Sequence, residues 1–212
     1  MDRRQCLGLL GSGIGVLTGC ISANPSPMTT QRDDLSNRSS TPIQTNSSTA
    51  EPSCTPDKKR LKRSYQKVEY GELNGFILRT CDESVQIGEE LTVSLTNKAD
   101  EEKLTGNKWG YDIQRCEDEQ WKSIFWIDED NPPAINSIGI IHEPGQGFTW
   151  ELTMTQDGLA HRVEGGTGSR AVCSPISPGT YRFIYPHCGS NGGAVLGVRF
   201  TVTEGRSKKL VG

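Results

Sequence analysis

The chain has 212 residues, with 23 Lys and Arg against 26 Asp and Glu, a net charge of −3 and 33% hydrophobic residues. This acidic balance argues against nucleic-acid binding, and no apolar run reaches the ~20 residues that a membrane-spanning helix needs. The length accommodates one ordinary domain with extensions.

From the N-terminus, the charged Met1-Asp2-Arg3-Arg4 is followed by an apolar stretch, interrupted by glycines, that ends in Gly15-Val16-Leu17-Thr18-Gly19-Cys20. So short a stretch reads as an export signal over residues 1–19. The small residue before Cys20 resembles the lipobox of bacterial and archaeal lipoproteins, and Arg3-Arg4-Gln5-Cys6-Leu7 is similar to a twin-arginine export signal. The resemblance to haloarchaeal-type surface lipoproteins implies cleavage after Gly19 and lipidation of Cys20. It also implies a place on the extracytoplasmic face of the cell membrane, with the membrane itself as a partner through the lipid anchor.

Residues 20–64 are expected to be a disordered tether. Between Ser22 and Pro56, 22 of 35 residues are Ser, Thr, Pro or Asn, and such a segment cannot bury enough apolar surface to offset its ordering entropy. It holds the two N-x-Ser/Thr sequons of the chain, at Asn37 and Asn46, both candidate glycosylation sites. The basic run Lys58-Lys59-Arg60-Leu61-Lys62-Arg63 could meet anionic headgroups or a surface polyanion. No aromatic residue interleaves it, and the preferred reading is a solvated linker end.

Residues 65–204 are expected to form one folded unit, with 205–212 a flexible tail. Period-two apolar patterns rich in Val, Ile, Tyr, Phe, Trp and Thr predict strands over 75–81, 91–96, 110–116, 121–127, 137–142, 147–154, 180–185 and 195–203. Leu91, Val93 and Leu95 fall on one face and Thr92, Ser94 and Thr96 on the other, as in a half-buried antiparallel strand. Turn clusters such as Glu143-Pro144-Gly145-Gln146-Gly147 separate the strands, and no window keeps a helical apolar stripe. The stretch 121–127 is apolar on both faces, so it is either covered on both sides or offers Trp121 and Trp126 to a partner. Seven to eight short strands without helices predict an all-β sandwich.

Ser177-Pro178-Gly179-Thr180-Tyr181-Arg182-Phe183 resembles the entry to the penultimate strand of bacterial immunoglobulin-like domains. Residues 88–97 and Pro144-Gly145-Gln146-Gly147-Phe148 are similar to other elements of those domains. The resemblance implies an immunoglobulin-like sandwich of seven to eight antiparallel strands, with Tyr181 as a corner tyrosine bonded back to the chain. Beyond Cys6 and Cys20, the cysteines are Cys54, Cys81, Cys116, Cys173 and Cys188, and in an oxidising compartment they form at most two bridges. Placed on the immunoglobulin-like frame, the implied pairs are Cys54 with Cys188 and Cys116 with Cys173, with Cys81 free or competing for a partner.

No site chemistry stands out. His187-Cys188 lacks the further His and Met of a blue-copper loop, and His142 and His161 stand alone. The acidic turn Asp128-Glu129-Asp130-Asn131 lacks the glycine and distal glutamate of a calcium loop. Gly165-Gly166-Thr167-Gly168 and 189–193 do not open a helix, so they read as turns, not phosphate cradles. No Gly-x-Ser-x-Gly or His-Glu-x-x-His occurs. The expectation is a module without enzymatic activity, cofactor or metal, serving a structural role or binding a surface protein or glycan. Two alternatives are a protease-inhibitor-like sandwich presenting Asn131-Pro132-Pro133-Ala134, and a small-ligand or metal-binding lipoprotein.

Overall fold

A computed structural model of the chain describes residues 54–163, 167–188 and 193–205. The expectations for residues 1–53, including Cys20, Asn37 and Asn46, and for the tail after 205 lie outside the described residues. The strands, in chain order, are β1 (Lys58–Arg60), β2 (Lys67–Tyr70), β3 (Glu72–Leu73), β4 (Phe76–Thr80), β5 (Ser84–Gln86), β6 (Glu90–Asn97), β7 (Lys103–Thr105) and β8 (Asp112–Glu117). They continue as β9 (Gln120–Ser123), β10 (Phe125–Asp128), β11 (Ile140–His142), β12 (Gly147–Thr153), β13 (His161–Arg162), β14 (Ser169–Val172), β15 (Gly179–Tyr185) and β16 (Ala194–Thr203). One helical turn, α1 (Gln156–Leu159), is capped by the Thr155 side chain, which accepts from the Gly158 amide.

Two main sheets make an all-β sandwich. One has the order β12-β6-β4-β3, the other β2-β16-β15-β8-β9 with β5 also on β16. Every residue pair of β12 with β6 follows the alternation read from sequence, so Leu91, Val93 and Leu95 enter the core together with Phe76, Leu78, Trp150 and Leu152. Ile113, Tyr181, Phe183, Tyr185, Leu196, Phe200 and Val202 oppose them from the second sheet. Each fully buried side chain of this size contributes about 1.5–3 kcal/mol. The middle of the core is aromatic: Trp150 lies 4.9 Å from Phe183 and 5.5 Å from Tyr185, ring centre to ring centre, and its indole N–H donates to the Lys108 carbonyl at 3.1 Å.

All eight predicted segments contain a strand, and the pairing is antiparallel except along one side of β16. There β2 and β5 run parallel to it. Tight turns set the registers. Asn74 and Gly75, both at positive φ, join Leu73 to Phe76 as a two-residue type I′ hairpin. Pro144-Gly145, with Gly145 at φ 83°, makes the type II turn that a Pro-Gly pair favours, closed by the Gln146 amide donating to the Glu143 carbonyl at 2.9 Å.

Two features depart from the sequence reading. The predicted strand 121–127 is two strands in different sheets: β9 pairs with β8, whereas β10 joins a four-stranded sheet of order β1-β10-β14-β13. The change of sheet falls at Ile124, whose amide bonds the Ile113 carbonyl at 2.9 Å. An apolar residue on every side of this stretch is what a chain serving two sheets requires. Second, folded structure begins before residue 65. Lys58–Arg60, placed in the tether by its charge, pairs with Phe125–Asp128. Lys59 ion-pairs with Glu129, Arg60 with Glu117 at 3.1 Å, and the Arg60 guanidinium lies 5.6 Å from the Trp126 ring centre. Long basic side chains can cover apolar surface with their stems, a property that a charge count does not display.

Candidate ligand-binding face

The outer face of the larger sheet carries the densest arrangement of side chains not needed for the core. Arg182 of β15 and Arg199 of β16 are register partners, and Gln114 of β8 lies on the other side of Arg182. The Arg182 guanidinium stacks 4.3 Å from the Trp121 ring centre. It donates through Nε and Nη2 to Gln114 Oε1, at 2.9 and 2.6 Å, and through Nη1 to the Tyr70 hydroxyl at 3.3 Å. Arg199 lies between two rings, 4.5 Å from Tyr70 and 5.6 Å from Trp121. Arg182 is buried, whereas Arg199 is exposed and Tyr70 is 42% exposed. Burial pushes the Tyr70 hydroxyl up, but hydrogen bonds from Arg182 and Arg199 outweigh it and hold its pKa below the ordinary tyrosine value. Beside this cluster is a cavity of about 430 Å³ lined by Tyr70, Gly71, Leu78, Gly197, Val198 and Arg199.

Beneath the segment after β1, the same face becomes a buried polar network. Asp112 accepts from Ser123 Oγ at 2.6 Å and from Gln114 Nε2 at 2.9 Å. Withdrawal from water raises its pKa against the pull of those donors and of Arg63 and Arg170. Arg63 donates to the Gly110 carbonyl at 3.1 Å, and Arg170, fully buried, donates to the Tyr111 carbonyl at 2.6 Å. The Arg170 guanidinium is 5.6 Å from the Tyr111 ring and 5.4 Å from Phe125. Among the described residues, its Nε and Nη2, and the Tyr65 hydroxyl, meet no hydrogen-bond partner.

Of the two tryptophans singled out by sequence, Trp121 belongs to the arginine cluster. Trp126 sits apart under Arg60, and both are half-buried. Tyr181 donates its hydroxyl to the Ser177 carbonyl at 2.8 Å, four residues upstream. The implied disulfides are corrected. Cys54 is bonded to Cys173, with Cα atoms 5.4 Å apart, because Cys54 leads into β1 and Cys173 follows β14, the two strands flanking β10. That four-stranded sheet was absent from the frame on which the pairs were placed. Neither Cys188, buried with its thiol pKa pushed up to about 12 by burial, nor Cys116, opposite Trp121, is bridged to the predicted partner, and Cys81 is exposed.

The histidines are dispersed. His142 is buried, its Nε2 2.8 Å from Thr105 Oγ1; His161 Nδ1 meets the Leu159 carbonyl at 2.9 Å, and burial lowers its pKa to about 4. Among the described residues no group of three or more His, Cys, Asp or Glu is arranged to hold a metal ion. In the acidic turn, Asp128 Oδ1 accepts from the Asp130 amide at 2.9 Å and Glu129 is engaged by Lys59. The Asn131–Ala134 loop is tied down by two hydrogen bonds between Ala134 and Thr167, both 3.1 Å. Sequence reasoning missed Arg182, Arg199 and Tyr70. Period two does put both arginines on outward positions, but only the register makes them neighbours.

No family profile and no curated protein matches the sequence. Among solved structures, the chain is similar to a β-glucosidase from Erythrobacter marinus at 17% identity and TM-score 0.33, over 61% of this chain and 15% of that one. A β-glucosidase from Listeria innocua (14% identity, TM-score 0.31) is matched over 60% of this chain and 16% of that one. An alkylpurine DNA glycosylase from Pseudomonas fluorescens (12%, TM-score 0.32) is matched over 61% and 30%. The chain thus spans less than a third of each of these proteins, and likenesses at this level carry no argument about activity.

Proposed function

We propose that the chain is a lipid-anchored, extracytoplasmic sandwich module of immunoglobulin-like type, without enzymatic activity, that binds a surface protein or glycan through the outer face of its larger sheet. The observation that carries this reading is the aromatic and arginine cluster of Tyr70, Trp121, Arg182 and Arg199, held on rigid strands beside a cavity. The Cys54–Cys173 bridge supports an oxidising compartment, and the sequence up to Cys20 supports twin-arginine export and a lipid anchor. Intact-mass spectrometry of protein extracted from its own membranes tests the address. A mature chain starting at lipidated Cys20 is the expected result; an unprocessed chain in the soluble fraction would overturn it.

A further inference from the structure

Two like charges placed directly opposite each other on paired strands oppose folding, yet Arg182 and Arg199 are so placed, in a chain of net charge −3. Among the described residues, the ion pairs engage Lys59, Arg60, Lys67, Lys103 and Lys122 and neither of these arginines. The donors of Arg182 are directed at Gln114 and Tyr70. Arg199 is exposed and lines the cavity beside Tyr70. The Tyr70 oxygen accepts from Arg182 at 3.3 Å, which leaves its own O–H as a donor.

Besides Arg199, the cavity is lined by the aromatic Tyr70, the aliphatic Leu78 and Val198, and the two glycines Gly71 and Gly197. A Cβ at Gly197 would come within 2.6 Å of Val68 Cγ1 and 3.4 Å of the Tyr70 ring, so glycine at this position lets Val68 and Tyr70 of β2 lie close against β16 beside the cavity. Its volume of about 430 Å³ is in the range of small-ligand sites. The planar fork of a guanidinium matches a planar carboxylate, and an aromatic side chain beside apolar ones suits the C–H face of a pyranose ring. We infer that this is a subsite for a carboxylate-bearing sugar, a uronic acid unit of an acidic glycan. Its carboxylate is received by Arg199 and the Tyr70 hydroxyl, and its ring lies in the cavity. The inference rests on the reading of the chain as a surface binding module and names the ligand class of that face.

The test titrates the full chain with trigalacturonate and, separately, with its fully methyl-esterified form, following tryptophan fluorescence and calorimetry. The acid is expected to bind at least tenfold more tightly than the ester. Arg199→Gln should weaken acid binding by at least tenfold, Arg199→Lys less, and Tyr70→Phe severalfold, with melting curves confirming that each variant folds. Absence of acid binding, equal binding of the ester, or an unaffected Arg199→Gln variant overturns the inference. None of these outcomes alters the mass of the N-terminus, so the surface reading stands or falls separately.

Discussion

Arg182 and Arg199 face each other across β15 and β16, but their surroundings differ: Arg182 is 9% exposed and bonds Gln114 twice, whereas Arg199 is exposed and stacks on Tyr70. Their substitution therefore has unequal costs. Arg182→Ala strips the buried Gln114 oxygen of both donors and uncovers Trp121, for an expected loss of about 2–4 kcal/mol. For Arg199→Gln, the lost stacking on Tyr70 is offset by relief of the opposed charge, and stability should stay within about 1 kcal/mol. Urea denaturation of the two variants checks the ordering; equal losses would mean that the pair is not so divided.

Reduction of the Cys54–Cys173 bridge, which spans a sequence separation of 119, should lower stability by about 3–5 kcal/mol. The measurement is the denaturation midpoint with and without reductant. A Cys54→Ser/Cys173→Ser variant should match the reduced protein and ignore reductant.

His161 is neutral in the fold, its pKa lowered to about 4 from the ordinary 6.5 by burial first, against a bond to the Leu159 carbonyl and with the help of Arg170. The unfolded chain binds a proton at this position below about pH 6.5 and the folded chain does not until about pH 4, so this residue makes stability fall as the pH drops through that window. Full expression of the shift would be about 3 kcal/mol. Asp112, whose pKa is raised by burial, acts in the opposite direction. The clean observable is therefore the difference between wild type and His161→Gln: on going from pH 6.5 to 4 the wild type should lose more stability than the variant. Parallel curves would exclude the assignment.

Asp118 and Glu119, at φ 50° and 63°, form the two-residue hairpin between Glu117 and Gln120 without a glycine. A non-glycine residue in the left-handed region costs about 1 kcal/mol, and Glu119 is exposed. Glu119→Gly creates the Asp-Gly pair that this turn favours and should raise the thermal midpoint by a few degrees. An unchanged or lowered midpoint counts against the strain.

Much of the sandwich is legible in alternation alone. Leu91, Val93 and Leu95 reveal their face, and Pro144-Gly145 its turn, because these signals are local. What escapes is whatever depends on partners distant in the chain. Trp121 and Trp126 are five residues apart and belong to different sheets, which period two cannot register. The basic residues 58–60 form a strand because Phe125–Asp128 offers a free edge with Glu129 nearby. The Cys54–Cys173 pairing follows from that same sheet, so missing the sheet meant missing the bridge. The candidate face was half visible: Trp121 is conspicuous in sequence, but Arg182 and Arg199 are ordinary outward residues until β15 and β16 are aligned.

The Cys54–Cys173 bridge also decides how the protein answers a mechanical load. A pull delivered from the N-terminal side passes at Cys54 directly to Cys173, and the residues between them bear no tension even if the sandwich opens. Contour length on the order of 400 Å, at about 3.4 Å per residue, stays locked away, so the domain yields only its C-terminal strands to force. Reduction of one covalent bond would release the remainder.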